Sequence, residues 1–111
     1  MVEYQDSELD VVFGAIAHPV RRAVLQRLRS SSVTVTDLAA PFPMSLAAVS
    51  KHVGVLEHAG LIHRTVSGRE HHLALEASAL MPGSQWLDTY RQFWDDRLDA
   101  LEAQLRRGAE R

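Results

Sequence analysis

The chain has 111 residues, no cysteine, 46% hydrophobic residues and 23% charged residues. This composition is typical of one globular domain and excludes disordered and disulfide-stabilised proteins. The acidic start MVEYQDSELD is unlike a secretory leader, and no apolar run approaches the roughly 18 residues of a membrane span. We therefore expect a soluble, cytoplasmic protein that forms a single domain over residues 1–111 and does not contact membranes.

The net charge of −2 is distributed unevenly along the chain. Residues 1–13 contain four acidic residues and no basic one, whereas residues 14–85 contain seven basic and four acidic residues. Residues 86–111 contain five basic and six acidic residues. A positive middle segment suits contact with an anion such as DNA, although a randomly solvated surface is the alternative explanation.

Apolar spacing and a proline define the first two predicted helices. The apolar residues between Leu9 and Ile16 recur at helical spacing and predict a helix over residues 8–17. His18 and Pro19 begin a second helix, because proline fits the first turn of a helix and not its interior. The serines at 30–32 end it.

A short strand and a short helix follow. Val33 and Val35 favour a strand, and Thr36-Asp37 is a good cap for a helix over residues 37–40. Prolines at positions 41 and 43 must end that helix.

Ser45 and Gly60 mark the two ends of the next predicted helix. Serine caps helix starts, and glycine suits the left-handed residue that closes a helix. One face of this helix is apolar, and the opposite face is formed by small residues and one lysine. Small outward side chains let a helix approach another surface closely, although an Ala-rich helix with no specific partner is the alternative. The apolar face comprises Leu46, Val49, Val53 and Leu56, and the outward face comprises Ala47, Lys51 and Gly54.

Residues 61–75 predict a β-hairpin with its turn at Ser67-Gly68, because β-branched and alternating residues flank a turn dipeptide. The full order is helix, helix, short helix, tight turn, capped helix and hairpin. This order predicts a mainly α fold with a small β-hairpin, the winged helix-turn-helix, in which residues 36–60 form the helix-turn-helix and residues 61–75 the wing.

Five short motifs carry a family resemblance. They are HPVRR at 18–22, VTDLA at 35–39, MSLAAVSKHV at 44–53, VLEHAGLI at 55–62 and SGR at 67–69. In this order they resemble the ArsR family of bacterial winged helix-turn-helix regulators. The resemblance implies a homodimeric transcriptional regulator, most often a repressor, that leaves its operator when a small effector binds. Leu46 and Gly54 depart from the family pattern, which often has glutamine and a basic residue at these positions.

We expect double-stranded DNA to contact the capped helix and the wing. Four residues of the helix region are expected to contact phosphates or base edges, two alanines to contact thymine methyl groups, and the wing tip to reach the minor groove. The predicted DNA-binding residues are Ser45, Ser50, Lys51 and His52, then Ala47 and Ala48, and finally Arg64, Ser67 and Arg69.

The carboxy-terminal segment predicts a helix over residues 84–106 with an apolar seam. The seam is longer than so small a core needs, so we expect it to form a dimer interface with the first helix, although packing within its own chain is the alternative. Two-fold symmetry then predicts a palindromic operator with half-sites about one helical turn apart. The predicted interface residues are Leu9, Val12, Phe13, Leu87, Tyr90, Trp94, Leu98, Leu101 and Leu105.

Many relatives by this resemblance sense metals, but two known site types lack their ligands here. Residues 34–38 contain no cysteine, and Asp88 is followed two residues later by Tyr90 instead of histidine. We therefore expect no metal and no other cofactor. A zinc or nickel site that uses His63, His71 or His72 with a terminal carboxylate, or that forms across a dimer, is the alternative.

No catalytic motif is present, so we expect no enzymatic activity. The remaining alternatives are a winged helix used as a protein-interaction module, and a regulator that responds to a second protein or a small effector.

Overall fold

A computed structural model describes the backbone of residues 2–110 and the side chains of residues 7–110. Helices α1 (Val2–Ile16) and α2 (Pro19–Arg27) are followed by strand β1 (Val33–Thr34) and helix α3 (Val35–Ala39). Helix α4 (Leu46–His58), strands β2 (Ile62–Ser67) and β3 (Glu70–Leu75), a 3-10 turn (Ala77–Leu80) and helix α5 (Met81–Ala109) complete the order. The predicted fold class, a winged helix-turn-helix, is confirmed.

Helix α4 has the ends that the sequence predicts. The hydroxyl oxygen of Ser45 accepts a hydrogen bond from the backbone N–H of Ala48 at 3.1 Å. Gly60 has φ +77°, which is the left-handed conformation that glycine adopts without strain. The break at His18-Pro19 is confirmed as well, because α1 ends at Ile16 and α2 begins at Pro19.

The cap of α3 is a correction. The structure begins this helix at Val35 and caps it with Thr34, whose hydroxyl oxygen accepts from the N–H of Asp37 at 3.2 Å. The predicted Thr36-Asp37 cap is therefore wrong. Val33 and Thr34 pair with Leu73 and His72 of β3, and this strand pairing places the end of β1, and hence the cap, at Thr34.

The three strands form one antiparallel sheet in the order β1-β3-β2. Ser67 pairs with Glu70, so the turn consists of Gly68 and Arg69 instead of Ser67-Gly68. The predicted wing is thus confirmed with its turn displaced by one residue, and Arg69 lies at its tip.

The core lies between α1–α4 and the inner side of the sheet. Leu46 was expected on the buried face of α4, but it is 51% exposed. It is the first residue of the helix, where the apolar stripe extends past the end of the core. The largest fully buried side chains are Val24, Leu38, Val49, Val53, Leu56, Leu61 and Leu73.

Helix α5 extends away from this core. The radius of gyration is 19.4 Å and the longest dimension is 69 Å, whereas a compact domain of this length has a radius of gyration of about 13 Å. Within α5 only Gly83 is buried. A Cβ atom added to Gly83 would lie 3.4 Å from Cε1 of Phe13, so α1 and α5 pack closely there. This contact lies before residue 84, the predicted start of the helix. None of the described helices is long and apolar enough to cross a membrane.

Candidate nucleic-acid interface

Helix α4 presents a face of small residues to solvent. Ala47, Lys51 and Gly54 are exposed, and Ala48 and Ser50 are half-buried. A Cβ atom added to Gly54 would meet no atom within 4 Å, so the helix backbone is open to a close approach there. The hydroxyl oxygen of Ser45 already accepts the capping bond, but its hydrogen remains able to donate to a phosphate.

Lys51 and Arg69 are exposed cations on α4 and on the wing. Neither side chain forms an ion pair with any residue in the described part of the chain. Ser67 is exposed beside Arg69 at the end of the wing. The two charges therefore stand on the two elements that enter DNA grooves in winged helices.

Arg64 has a different environment from the one predicted. Its Nε donates to Oε2 of Glu57 at 3.1 Å and its Nη2 to Oε1 at 2.5 Å, and its Nη1 lies 3.1 Å from Nδ1 of His71. This two-point hydrogen bond holds the pKa of the Glu57 carboxyl below its ordinary value and raises the pKa of Arg64. Arg64 therefore fastens the wing to α4, and its contact with DNA stays a prediction.

His52 is also engaged within the chain. Its Nδ1 lies 3.2 Å from Nη1 of Arg21, and its ring centroid lies 4.4 Å from that of His18. Burial, and then the nearby His18 and Arg21, lower the pKa of His52 below its ordinary value. The neutral ring is therefore favoured, and it faces α2. Contact of His52 with DNA stays a prediction.

The histidines of the wing have separate partners. His71 lies against Arg64, and Nε2 of His72 lies 3.1 Å from Oε2 of Glu70. Among the described residues, no group of three His, Asp or Glu side chains is arranged to hold a metal ion. A site that bridges two copies of the chain stays the alternative to the metal-free prediction.

The seam on α5 is exposed along its whole length. Its six residues occupy a stripe roughly 80° wide, since successive helical residues turn by about 100°. Their exposures range from 42% for Leu87 to 66% for Leu105. The four members between them are Tyr90, Trp94, Leu98 and Leu101.

The part of α1 that faces α5 is more enclosed. The rings of Phe13 and Trp86 meet edge to face with their centroids 5.8 Å apart. Leu9 and Phe13 are half-buried, whereas Val12 is only 5% exposed and packs in the core of its own chain. Val12 therefore has little surface left for a second copy, and its place at a dimer interface stays a prediction.

Sequence reasoning missed Arg21 and Glu57 as partners of predicted DNA-binding residues. Arg21 lies 31 residues from His52 in the chain, so no local pattern connects them. Glu57 lies seven residues before Arg64, on a different element. A charge of opposite sign at the end of the preceding helix was the only sequence signal for that pair.

Comparisons with known proteins agree with this geometry. A family model described as a helix-turn-helix domain matches residues 16–65. The transcriptional repressor SdpR of Bacillus subtilis (strain 168) is 30% identical over 76 residues, which cover 68% of this chain and 84% of that protein. The HTH-type transcriptional regulator Rv2034 of Mycobacterium tuberculosis is 33% identical over 85 residues, which cover 77% of each. The crystal structure of an ArsR family transcriptional regulator superposes with a TM-score of 0.75 at 37% identity, over 81% of this chain and 93% of that one.

Proposed function

Because the chain belongs to the ArsR family of winged helix-turn-helix transcriptional regulators, we propose that it is a homodimeric repressor that binds a palindromic operator. As a member of that family it is a DNA-binding regulator and not an enzyme. Homodimerisation, two-fold symmetry of the operator and repression are the proposed parts.

The exposed apolar stripe on α5 carries the proposal of a homodimer. Monomeric proteins rarely expose large continuous apolar surface. Here, Tyr90, Trp94 and the four leucines of the seam lie on one face of α5, which extends away from the core. An identical helix has the same stripe, so an isologous contact between two copies covers both at once. The edge-to-face contact of Phe13 and Trp86 fixes α1 beside this seam, so we place Leu9 and Phe13 at its margin.

Two copies related by a two-fold axis present two α4 helices and two wings. We place α4 in the major groove and the tip of the wing in the adjacent minor groove, with Lys51 and Arg69 on phosphates or groove edges. The half-sites are then about one helical turn apart, or a multiple of it. Exposed Ala47 and Gly54 allow the helix to approach the bases closely.

We propose that the chain represses transcription by occupying its operator. The Bacillus subtilis relative is named a transcriptional repressor. We propose that DNA binding needs no metal ion, because no thiolate is present and the described residues bring no three metal ligands together. We place this activity in the cytoplasm, where the operator DNA of a bacterium lies.

The test is recovery of genomic DNA fragments by the purified protein at about 0.15 M salt with competitor DNA. We expect enrichment of fragments that contain an inverted repeat, equal yields with and without chelator, and a steep loss of binding as salt rises. Enrichment only with added zinc or nickel would contradict the metal-free proposal. No enrichment under any condition would contradict the regulator proposal and favour a protein-interaction module.

A further inference from the structure

One arginine joins three helices directly behind the candidate DNA-binding surface. Nε of Arg21 donates to the carbonyl of Ala15 at 2.6 Å, and its Nη2 donates to the carbonyl of Gly14 at 3.2 Å. Its Nη1 lies 3.2 Å from Nδ1 of His52. A single side chain of α2 therefore connects the end of α1, which belongs to the proposed dimer contact, to α4.

The partners fix the protonation state of two histidine rings. A guanidinium group can only donate hydrogen bonds, so Nδ1 of His52 must accept and the ring proton lies on Nε2. Nδ1 of His18 likewise accepts from the backbone N–H of Val20 at 3.1 Å. The two rings are tilted by 45° with their centroids 4.4 Å apart. In this arrangement Nδ1 is the acceptor of each ring, and Nε2 is the nitrogen that carries the proton.

The groups around His52 disfavour its protonation. Arg21 faces it from α2, His18 faces it from the start of that helix, and Lys51 adjoins it on α4. Helix α1 supplies the two carbonyls on Arg21, and Asp10 of α1 lines a neighbouring groove beside Lys51. No carboxylate in the described part of the chain forms an ion pair with His52. A protonated His52 would present a second cation to Arg21 and lose its acceptor.

We propose that Arg21 is a positioning residue for DNA binding, which holds α4 against the end of α1 through Nδ1 of His52. Loss of this bond, by substitution of Arg21 or by protonation of His52, weakens DNA binding and leaves the dimer intact. The regulator therefore releases its operator on acidification. This inference rests on the proposed function, because DNA affinity is its main readout.

Arg22 provides a matched control for Arg21. Its Nη1 donates to the carbonyl of Ile16 at 2.8 Å, so Arg22→Gln also removes one charge and one contact to the end of α1. It does not remove a contact to α4. A second variant, His52→Asn, keeps an acceptor oxygen close to the position of Nδ1 but cannot be protonated.

The affinity test uses fluorescence anisotropy with a labelled duplex of about 30 base pairs cut from the enriched genomic fragment, at constant ionic strength. We expect Arg21→Gln to bind about 10-fold more weakly at neutral pH and Arg22→Gln to change affinity less than about 3-fold. Between about pH 7.5 and pH 5.5 we expect the wild type to lose at least about 5-fold more affinity than His52→Asn. Equal losses in the two arginine variants, or equal pH dependence of wild type and His52→Asn, would overturn the proposal.

A readout without DNA separates this proposal from the proposed function. Two-bond proton–nitrogen correlations in the free wild-type protein should show His52 with its proton on Nε2, and Arg21→Gln should weaken that preference. A proton on Nδ1 in the wild type overturns the positioning role, whatever the protein binds. Failure of the wild type to bind the duplex at neutral pH contradicts the proposed function instead. If Arg21→Gln does not fold, the pH comparison between wild type and His52→Asn decides.

Discussion

The replacement Trp94→Ala tests the proposed seam on α5. Trp94 is 56% exposed in one copy of the chain. Since a tryptophan has roughly 250 Å² of surface, about 140 Å² of it is available to a partner. At about 25 cal/mol per Å², complete burial of that surface stabilises the dimer by about 3.5 kcal/mol per copy, or about 7 kcal/mol for both copies. This is an upper limit, because the alanine keeps part of the contact.

We expect Trp94→Ala to weaken the dimer by at least about 3 kcal/mol, which raises its Kd more than about 100-fold. Sedimentation equilibrium over about 0.1 to 50 μM protein measures this change. The control is Gln92→Ala, which truncates an exposed neutral side chain on the opposite face of α5 and should leave Kd unchanged. A Trp94→Ala protein that dimerises as tightly as Gln92→Ala would show that the seam is not the interface. A wild type that stays monomeric throughout would refute the homodimer.

Four further outcomes are expected. Lys51→Ala should weaken DNA binding about 10-fold on all sequences and reduce the slope of log affinity against log salt concentration by about one. The sedimentation coefficient of the protein should stay the same. An unchanged slope would show that Lys51 contacts no phosphate. Arg69→Ala should lower affinity most for operators with a narrow minor groove, whereas a uniform loss over a panel of duplexes would make it a phosphate contact. Gly54→Ala should raise the free energy of unfolding by about 0.5–1 kcal/mol in denaturant titrations, because alanine favours helix and its Cβ would meet no other atom. A lower free energy of unfolding would show that the added Cβ does meet a neighbouring atom. The pKa of His52 is lowered in the fold, so the unfolded chain binds more protons below about pH 6.5. The free energy of unfolding should therefore fall as pH drops through that value and level off below the pKa of the folded state. His52→Asn should lack this part of the pH dependence.

Features that depend on neighbouring residues were predictable from the sequence. Ser45 and Gly60 define both ends of α4 because a serine cap and a left-handed glycine act within one turn of the helix. Pro19 fixes the start of α2 for the same local reason. The seam of α5 was also predictable, since it depends only on spacing along one helix.

Features that depend on distant residues were not predictable. Thr34 and Thr36 are equally suitable caps, and only pairing with β3 selects Thr34. His52 was expected to contact DNA, and Arg21 contacts its Nδ1 from another helix. Arg64 has the charge of a DNA contact, and Glu57 already takes up that charge. In each case, the contact comes from another element of the fold.

The length of α5 affects the fate of each newly made subunit. Apart from Pro82 and Gly83, every residue of this helix is exposed in a single copy of the chain. A short-lived excess of single subunits would therefore expose a loosely held apolar helix to cellular proteases, whereas paired subunits would be protected. Since the proposed operator-bound form contains two subunits, occupancy at low expression rises with the square of subunit concentration. A modest change in copy number would then switch the target gene more sharply than a monomeric repressor could.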